Sequence, residues 1–476
     1  MKNTFKTVKE LEDSINSLFS SEDGELLIKF YIERFCLPKH VISQYLKQRL
    51  ASNFNMKNLE YSRSVGLSHL FTSIIKYIGF VFVTLFYSKK INQNSVSTYK
   101  LLIDDIQSGN ELSRWNRLVS RFERNQSIFI ARADNFEISE EANILFRPSL
   151  KKYDRNILCS EILRFLFKDI LILTWKSFKL RKNLIHIHTF LINDYLYYSS
   201  IFRNTKALFL IQDRNLGRTN ALKNYLFKKF GGIATSCVQK NILQHNAFGL
   251  FYDIDIFFSY GEKTAEDILD LGGRIECVYP VGSFAMESSL KLEKDASMEK
   301  SSKVEKIDIL YIGINAITSN KTNWDGYYES IRWLSKISKI ADFNRILIKH
   351  HPSWSYDKKE AEIIKDTNIE YYDKDADSYL IASRSNLIVT YGSSMGYELM
   401  GYGAKVIFLD PNNSNQFINN FVHDDKNVIY EYERFESLAL NPNKPINAGD
   451  AIKPSDYCLQ NDDISLAIYE KLLSLS

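Results

Sequence analysis

The stretch from Arg345 to Pro411 constrains the fold more than any other part of the chain. An apolar strand ends in Lys349-His350-His351-Pro352. A second strand, Asn386–Thr390, runs into Tyr391-Gly392-Ser393-Ser394. A short helical stretch carrying Glu398 follows, then Gly401 and Gly403, then the strand Lys405–Asp410. Strands and helices in this order form βαβ units with parallel strands, and open α/β sheets bind ligands outside the carboxyl ends of their strands. Ser393-Ser394 also opens a helix, where unpaired N–H groups and the helix dipole favour an anion. The stretch reads as a pocket for a nucleotide mono- or diphosphate.

At 476 residues the chain is too long for one core, so two domains and an extension are expected. With 45% hydrophobic and 25% charged residues, and only 8 prolines, it is neither disordered nor linker-rich. A net charge of +4 is too small for a nucleic-acid footprint at this length. The cysteines (Cys36, Cys159, Cys237, Cys277 and Cys458) are far apart, with no CxxC and no Cys/His cluster. That spacing supports neither a zinc site nor a disulfide framework and suits a reducing cytoplasm. The N-terminus leads into a charged amphipathic helix rather than a signal peptide. No apolar run reaches the roughly eighteen residues that a spanning helix needs.

Residues 1–97 are expected to be a helical extension, from the periodic apolar positions in Leu11–Leu18 and Leu26–Phe35. From about Tyr99 short apolar strands alternate with amphipathic helices. The strands are Lys100–Asp104, Ser127–Ala131, Ala142–Phe146, Leu184–His188, Ala207–Ile211, Gly232–Ser236, Ile254–Ser259 and Arg274–Val278. Helices Leu112–Phe122, Glu161–Phe178, Ala221–Phe230 and Glu262–Leu271 fall between them. This gives an N-terminal Rossmann-like domain over 98–286 and a polar linker over 287–305. A C-terminal Rossmann-like domain spans 306–450. A helix within 451–476 crosses back onto the first domain. The fold class is α/β, with two Rossmann-like domains and substrates in a cleft between them.

Lys-His-His-Pro followed by Tyr-Gly-Ser-Ser-Met-Gly-Tyr-Glu-Leu-Met-Gly-Tyr-Gly-Ala-Lys-Val-Ile resembles the nucleotide half of GT-B glycosyltransferases of bacterial surface polysaccharides. The nearest likeness is to capsule-type Kdo transferases and bacterial sialyltransferases, which share a His-Pro and a Ser-Ser/Thr motif. Teichoic-acid polymerases using CDP-glycerol have a similar half. The resemblance covers about Asp308–Asp410 well and Gln244–Ser283 fairly. It implies that His351, with Pro352, and Ser393 and Ser394, with Gly392, hold the donor phosphate. A histidine, two hydroxyls and helix amides can stabilise charge on a departing nucleotide. Glu398, one helical turn after Ser394, matches a glutamate that accepts hydrogen bonds from ribose hydroxyls. Lys349 is a further candidate cation, although strand parity turns it away from His350. Taken singly, His-Pro merely ends a strand and Ser-Ser is an ordinary N-cap. Their order, with Glu398 and the glycine-flanked strand behind them, is what points to a phosphate.

An inverting transfer needs a base for the acceptor hydroxyl, expected from the first domain. Asp213 ends the strand Phe209–Asp213 and faintly resembles the Glu-Asp-Gly segment whose Asp is the family's base, although Arg214 stands where glycine is expected. Asp104 and His245 are the other candidates, and N-cap or loop roles compete for each. His186 and His188 alternate on one face of an expected strand without a third metal ligand nearby. Asp253 and Asp255 begin a strand rather than end one, so they are not the Asp-x-Asp of metal-dependent transferases. No metal and no cofactor are implied.

The resemblance thus implies a metal-independent, inverting transferase that moves a sugar from a nucleotide-sugar donor onto a capsule, O-antigen or similar glycan. A CMP-activated acidic sugar is favoured, before UDP- or GDP-sugars. A CDP-glycerol or polyol phosphotransferase and a non-catalytic scaffold are the alternatives. The acceptor is expected to be lipid-linked, which places a cytoplasmic protein at the inner face of the membrane. Ile74–Tyr87 and Phe165–Arg181, aromatic-rich and interspersed or flanked with lysines, suit peripheral association, the first being favoured; a buried helix is the competing account.

Overall fold

A computed structural model of the chain describes residues 3–51, 54–55, 60–61, 67–87, 97–107, 109–131, 143–146, 166–213, 221–240, 250–270, 272–287, 306–314, 323–340, 343, 345–413, 427–446 and 454–475. The chain divides into two compact units. The first contains Phe5–Phe258, Ala265–Tyr279 and Ser465–Ser476; the second contains Met1–Thr4, Ser259–Thr264 and Pro280–Ile464.

The first unit opens with helices α1 (Asn3–Ser20), α2 (Glu22–Phe35) and α3 (Lys39–Ala51). A short antiparallel pair, β1 (Phe54–Asn55) and β2 (Glu60–Tyr61), and the long helix α4 (Leu67–Tyr87) follow. The helical N-terminal region is present as its apolar periodicity predicts. Its sheet contains β3 (Ser97–Ile106), β4 (Ser127–Ala131), β5 (Ile144–Phe146), β6 (Thr205–Gln212), β7 (Ala234–Val238), β8 (Asp253–Ser259) and β9 (Arg274–Pro280). Their spatial order is β5-β4-β3-β6-β7-β8-β9, and β5 through β8 pair in parallel. The C-terminal helix, Ile464–Leu473, contributes Tyr469 edge-on to Phe122 at 4.9 Å.

The second unit has a fully parallel sheet of β10 (Ile307–Ile312), β11 (Ile346–Lys349), β12 (Ile369–Tyr371), β13 (Ser385–Thr390), β14 (Val406–Leu409) and β15 (Val428–Ile429). Its order is β12-β11-β10-β13-β14-β15. Leu310, Leu347, Ile348, Leu387, Ile388 and Val389 are all completely buried, as both-face coverage of a parallel sheet requires. In each sheet the fourth strand returns to pair beside the first, the strand order of Rossmann folds. The protein is α/β, with two Rossmann-like sheets and a helical N-terminal region.

Two expectations fail locally. Leu184–His188 is not a strand but the first turn of a 21-residue helix, Leu184–Asn204, which Asn183 caps by accepting from the His186 N–H at 3.2 Å. The helix is buried on several sides, so its apolar residues carry no clear helical period, and Ile185 and Ile187 imitate a strand's alternation. Residues two apart on a helix lie on roughly opposite sides, so His186 and His188 share no face. His188 is enclosed by Tyr31, Phe35 and Tyr77, whereas His186 packs on Phe190. The single helix expected over Leu112–Phe122 is two, α5 (Gly109–Arg114) and α6 (Asn116–Arg121). The break is at buried Trp115, whose N–H bonds Leu112 O at 3.1 Å in a tighter turn. Most of the linker expected over 287–305 lies outside the described residues.

Candidate active site

The second unit's sheet register aligns the candidate donor loops. Ile312 is level with Lys349 on one side and Thr390 on the other, so the loops after β10, β11 and β13 leave the sheet together. Between β10 and β13 the connections change direction, and such a switch point leaves a crevice at the strands' carboxyl ends. Thr390 fixes the third loop. Its hydroxyl donates to Ile312 O (2.9 Å) and accepts from the N–H groups of Gly392 (3.3 Å) and Ser393 (3.1 Å).

Ser393 and Ser394 then begin α14 (Met395–Gly401, after α13 at Ser378–Ala382, α12 at Lys358–Ile364, α11 at Trp324–Ile340, α10 at Lys263–Asp270, α9 at Ala221–Lys229, α8 at Leu184–Asn204 and α7 at Leu166–Leu180). The Ser393 hydroxyl accepts from Met395 N–H at 3.3 Å, whereas Ser394, at the cap position, makes no capping bond. The ordinary N-cap role therefore accounts for Ser393 but not for Ser394.

The two histidines differ sharply. His351 is exposed, and its carbonyl accepts from Trp354 N–H at 2.8 Å across a turn with Pro352 in second place, where proline's fixed φ suits it. Its Nδ1 accepts from Ser353 N–H at 3.1 Å and lies 2.7 Å from Ser353 Oγ, so the neutral ring carries its proton on Nε2. Partial desolvation of the ring, and then the Lys349 charge, lower its pKa below that of an ordinary histidine. At neutral pH His351 thus offers one neutral N–H donor. His350 is buried instead, with Nε2 2.8 Å from Glu360 Oε1 and the ring stacked on Trp354 at 4.8 Å. The Tyr327 hydroxyl donates to the other Glu360 oxygen at 2.5 Å. A Cβ on Gly313 would fall 2.0 Å from His350 Nδ1, so only glycine lets β10 end against that ring.

The Lys349 ammonium donates to His350 O (3.0 Å) and Lys374 O (2.6 Å), tying the β11 loop to the one after β12. Glu398 is buried, and its Oε2 accepts from the hydroxyls of Ser283 and Tyr379, the latter at 2.8 Å.

In the first unit two base candidates end the adjacent strands β3 and β6. Asp104 is buried in an ion pair with Lys223, which also donates to Gln212 Oε1 at 2.6 Å. Beside it Asp105 adopts a left-handed φ of 78° where the β3–β4 register slips, a bulge that re-aims the strand end. Asp213 is buried too, with Oδ2 3.5 Å from Arg114 Nη1 and 3.6 Å from Lys240 Nζ. His245 lies outside the described residues. Asp253 and Asp255 lie within β8, where Arg274 and Lys228 pair with them.

Sequence reasoning missed Glu360, Tyr327, Trp354 and Tyr379 as neighbours of the site, and no local motif marks them. Ser283 carried a signal, since its Val-Gly-Ser lies in the stretch that resembles the end of the GT-B first domain.

No family model matches the chain, and no curated protein matches it. Solved structures similar to it include the wall teichoic acid polymerase TagF soaked with CDPG, at 11% identity, TM-score 0.48, and 86% and 97% coverage of this chain and that one. The UDP-GlcNAc 2-epimerase from Neisseria meningitidis bound to UDP-GlcNAc is 13% identical, with TM-score 0.47 and coverage of 79% and 100%. An S. aureus MnaA–UDP co-structure is 10% identical, with TM-score 0.46 and coverage of 79% and 98%. Likenesses this distant carry no chemistry to the present chain.

Proposed function

We propose that the protein is a metal-independent, inverting GT-B glycosyltransferase that transfers a sugar from a nucleotide-sugar donor to a growing surface glycan. One observation carries the reading. The sheet's switch point is bordered by the Ser393-Ser394 loop, with the His351 loop on the next strand, all leaving the same edge. His351 Nε2–H and the Ser394 hydroxyl are donors suited to a phosphate oxygen, and Glu398 is an acceptor suited to ribose hydroxyls. A CMP-activated acidic sugar is the favoured donor. Residues 306–450 act as the nucleotide-sugar domain and 98–286 as the acceptor domain.

For the base we favour Asp213. It ends a strand at the first unit's switch point, and its cations Arg114 and Lys240 stand at 3.5 and 3.6 Å, farther than Lys223 stands from Asp104. The acceptor is a lipid-linked glycan, which locates the protein at the inner face of the membrane. Titration calorimetry against CMP, UDP and GDP tests the donor class: submillimolar binding of one nucleotide is expected, and binding of none sinks the reading. Product mass then separates sugar transfer from transfer of a polyol phosphate.

A further inference from the structure

Two helices of the first unit turn large apolar side chains to solvent. On α4, Phe71, Ile75 and Phe82 are 64%, 54% and 55% exposed. Their spacing of four and seven residues places them on one stripe of the helix. On α7, Leu171 and Trp175 are 74% and 72% exposed, and Phe178, three residues further on, is also exposed. The opposite faces are anchored. Leu70, Tyr77 and Leu173 are core, and Tyr77 and Ser73 of α4 meet His188 and Asn183 at the start of α8. The outward stripes are therefore displayed by well-packed helices.

The charge around them is one-sided. α4 carries Lys76 and no carboxylate, and on α7 the described charged side chains are Lys176, Lys179 and one acid, Asp169. Asp169 is buried against Arg34 at 2.6 Å, and the nearby Asp23 is taken up by Lys179 at 2.6 Å. We propose that the outward faces of α4 and α7 form a docking surface for an anionic lipid bilayer. Aromatic and aliphatic side chains enter the headgroup boundary while the lysines meet lipid phosphates. A second copy fits less well, because a self-complementary contact would bring lysine to lysine without carboxylates to pair them. No helix among the described residues is long and apolar enough to cross a membrane, so the contact is superficial. The proposal deepens the bilayer location in the reading above, and its test leaves the donor pocket untouched.

The full chain is sedimented with vesicles of phosphatidylcholine containing phosphatidylglycerol, at low salt. Binding is expected, and Phe71→Ser with Trp175→Ser should weaken it at least tenfold without altering thermal unfolding. Leu171→Ser alone, a milder change, should weaken it in the same direction. Lys76→Gln should weaken it about fivefold, the factor equivalent to one lysine's contribution near such a surface. Absence of binding to anionic vesicles, or equal binding by these variants, overturns the proposal. So do dimers that the same substitutions dissolve. A wild-type chain that binds vesicles but no nucleotide would sink the donor reading and leave this surface standing.

Discussion

Ser283 and Glu398 lie 115 residues apart in the chain, yet the serine hydroxyl donates to Oε2 of the glutamate inside the second unit. The same oxygen accepts from Tyr379. A carboxylate with 2% exposure is tolerable only when such donors replace water. Glu398 is thereby held one turn behind the Ser393-Ser394 loop.

If Glu398 also accepts from ribose, Glu398→Gln should weaken nucleotide binding by roughly 1.5–3 kcal/mol, the range for hydrogen bonds to a charged group. The 2′,3′-dideoxy nucleotide should then lose little further affinity in the variant. Fully additive losses in that calorimetric cycle would exclude the contact.

In the donor loops, His351→Ala, or Ser393→Ala together with Ser394→Ala, should lower turnover about a hundredfold. That is on the order of 3 kcal/mol for lost donors to developing charge. Circular dichroism should show the fold intact, since His351 is exposed and the serines are only half-buried. Near wild-type rates in both variants, with the donor known, would refute the phosphate assignment.

His188 makes stability depend on pH. Burial, and secondarily the Arg34 charge, push its pKa down to about 3. The unfolded chain, with a pKa of about 6.5, therefore takes up the proton first. The contribution is complete above about pH 6.5 and is lost as pH falls from there toward 3, by up to about 1.4 kcal/mol per pH unit. Urea unfolding between pH 6.5 and 5 should fall less steeply for His188→Phe, a ring that suits its aromatic surroundings. Parallel slopes for the two proteins would rule this out.

The Lys223–Asp104 pair should be costly to break and cheap to replace. Asp104→Ala or Lys223→Met alone leaves one buried charge unpaired and should destabilise by about 3–5 kcal/mol. Asp104→Leu combined with Lys223→Met should recover much of that loss. Denaturant midpoints of the three variants measure it, and singles within about 0.5 kcal/mol of wild type would show the pair to be solvated.

Much of the architecture was legible in the chain because burial writes itself into local pattern. Strands such as Ser127–Ala131 and Val406–Leu409 are short apolar runs bounded by polar residues, and their observed limits match those runs. The pattern misled where a helix is buried on several sides, as at Leu184–His188, since both helix and strand then present unbroken apolar sequence. The His-Pro and Ser-Ser loops were also visible, being local motifs at strand ends.

The sequence by itself determined which residues stand at the carboxyl ends of which strands, because period and turn chemistry act over a few residues. Only the tertiary structure decided that His350 belongs to Glu360 and Tyr327 while His351 faces outward, and that the Lys349 ammonium reaches the carbonyls of His350 and Lys374. It also decided that Ser283 meets Glu398 and that α4 and α7 leave apolar stripes uncovered. These outcomes depend on where a side chain's partner lies after ten to more than a hundred residues of intervening chain have folded. A one-dimensional pattern records how deeply a residue is buried, and holds no record of what it is buried against.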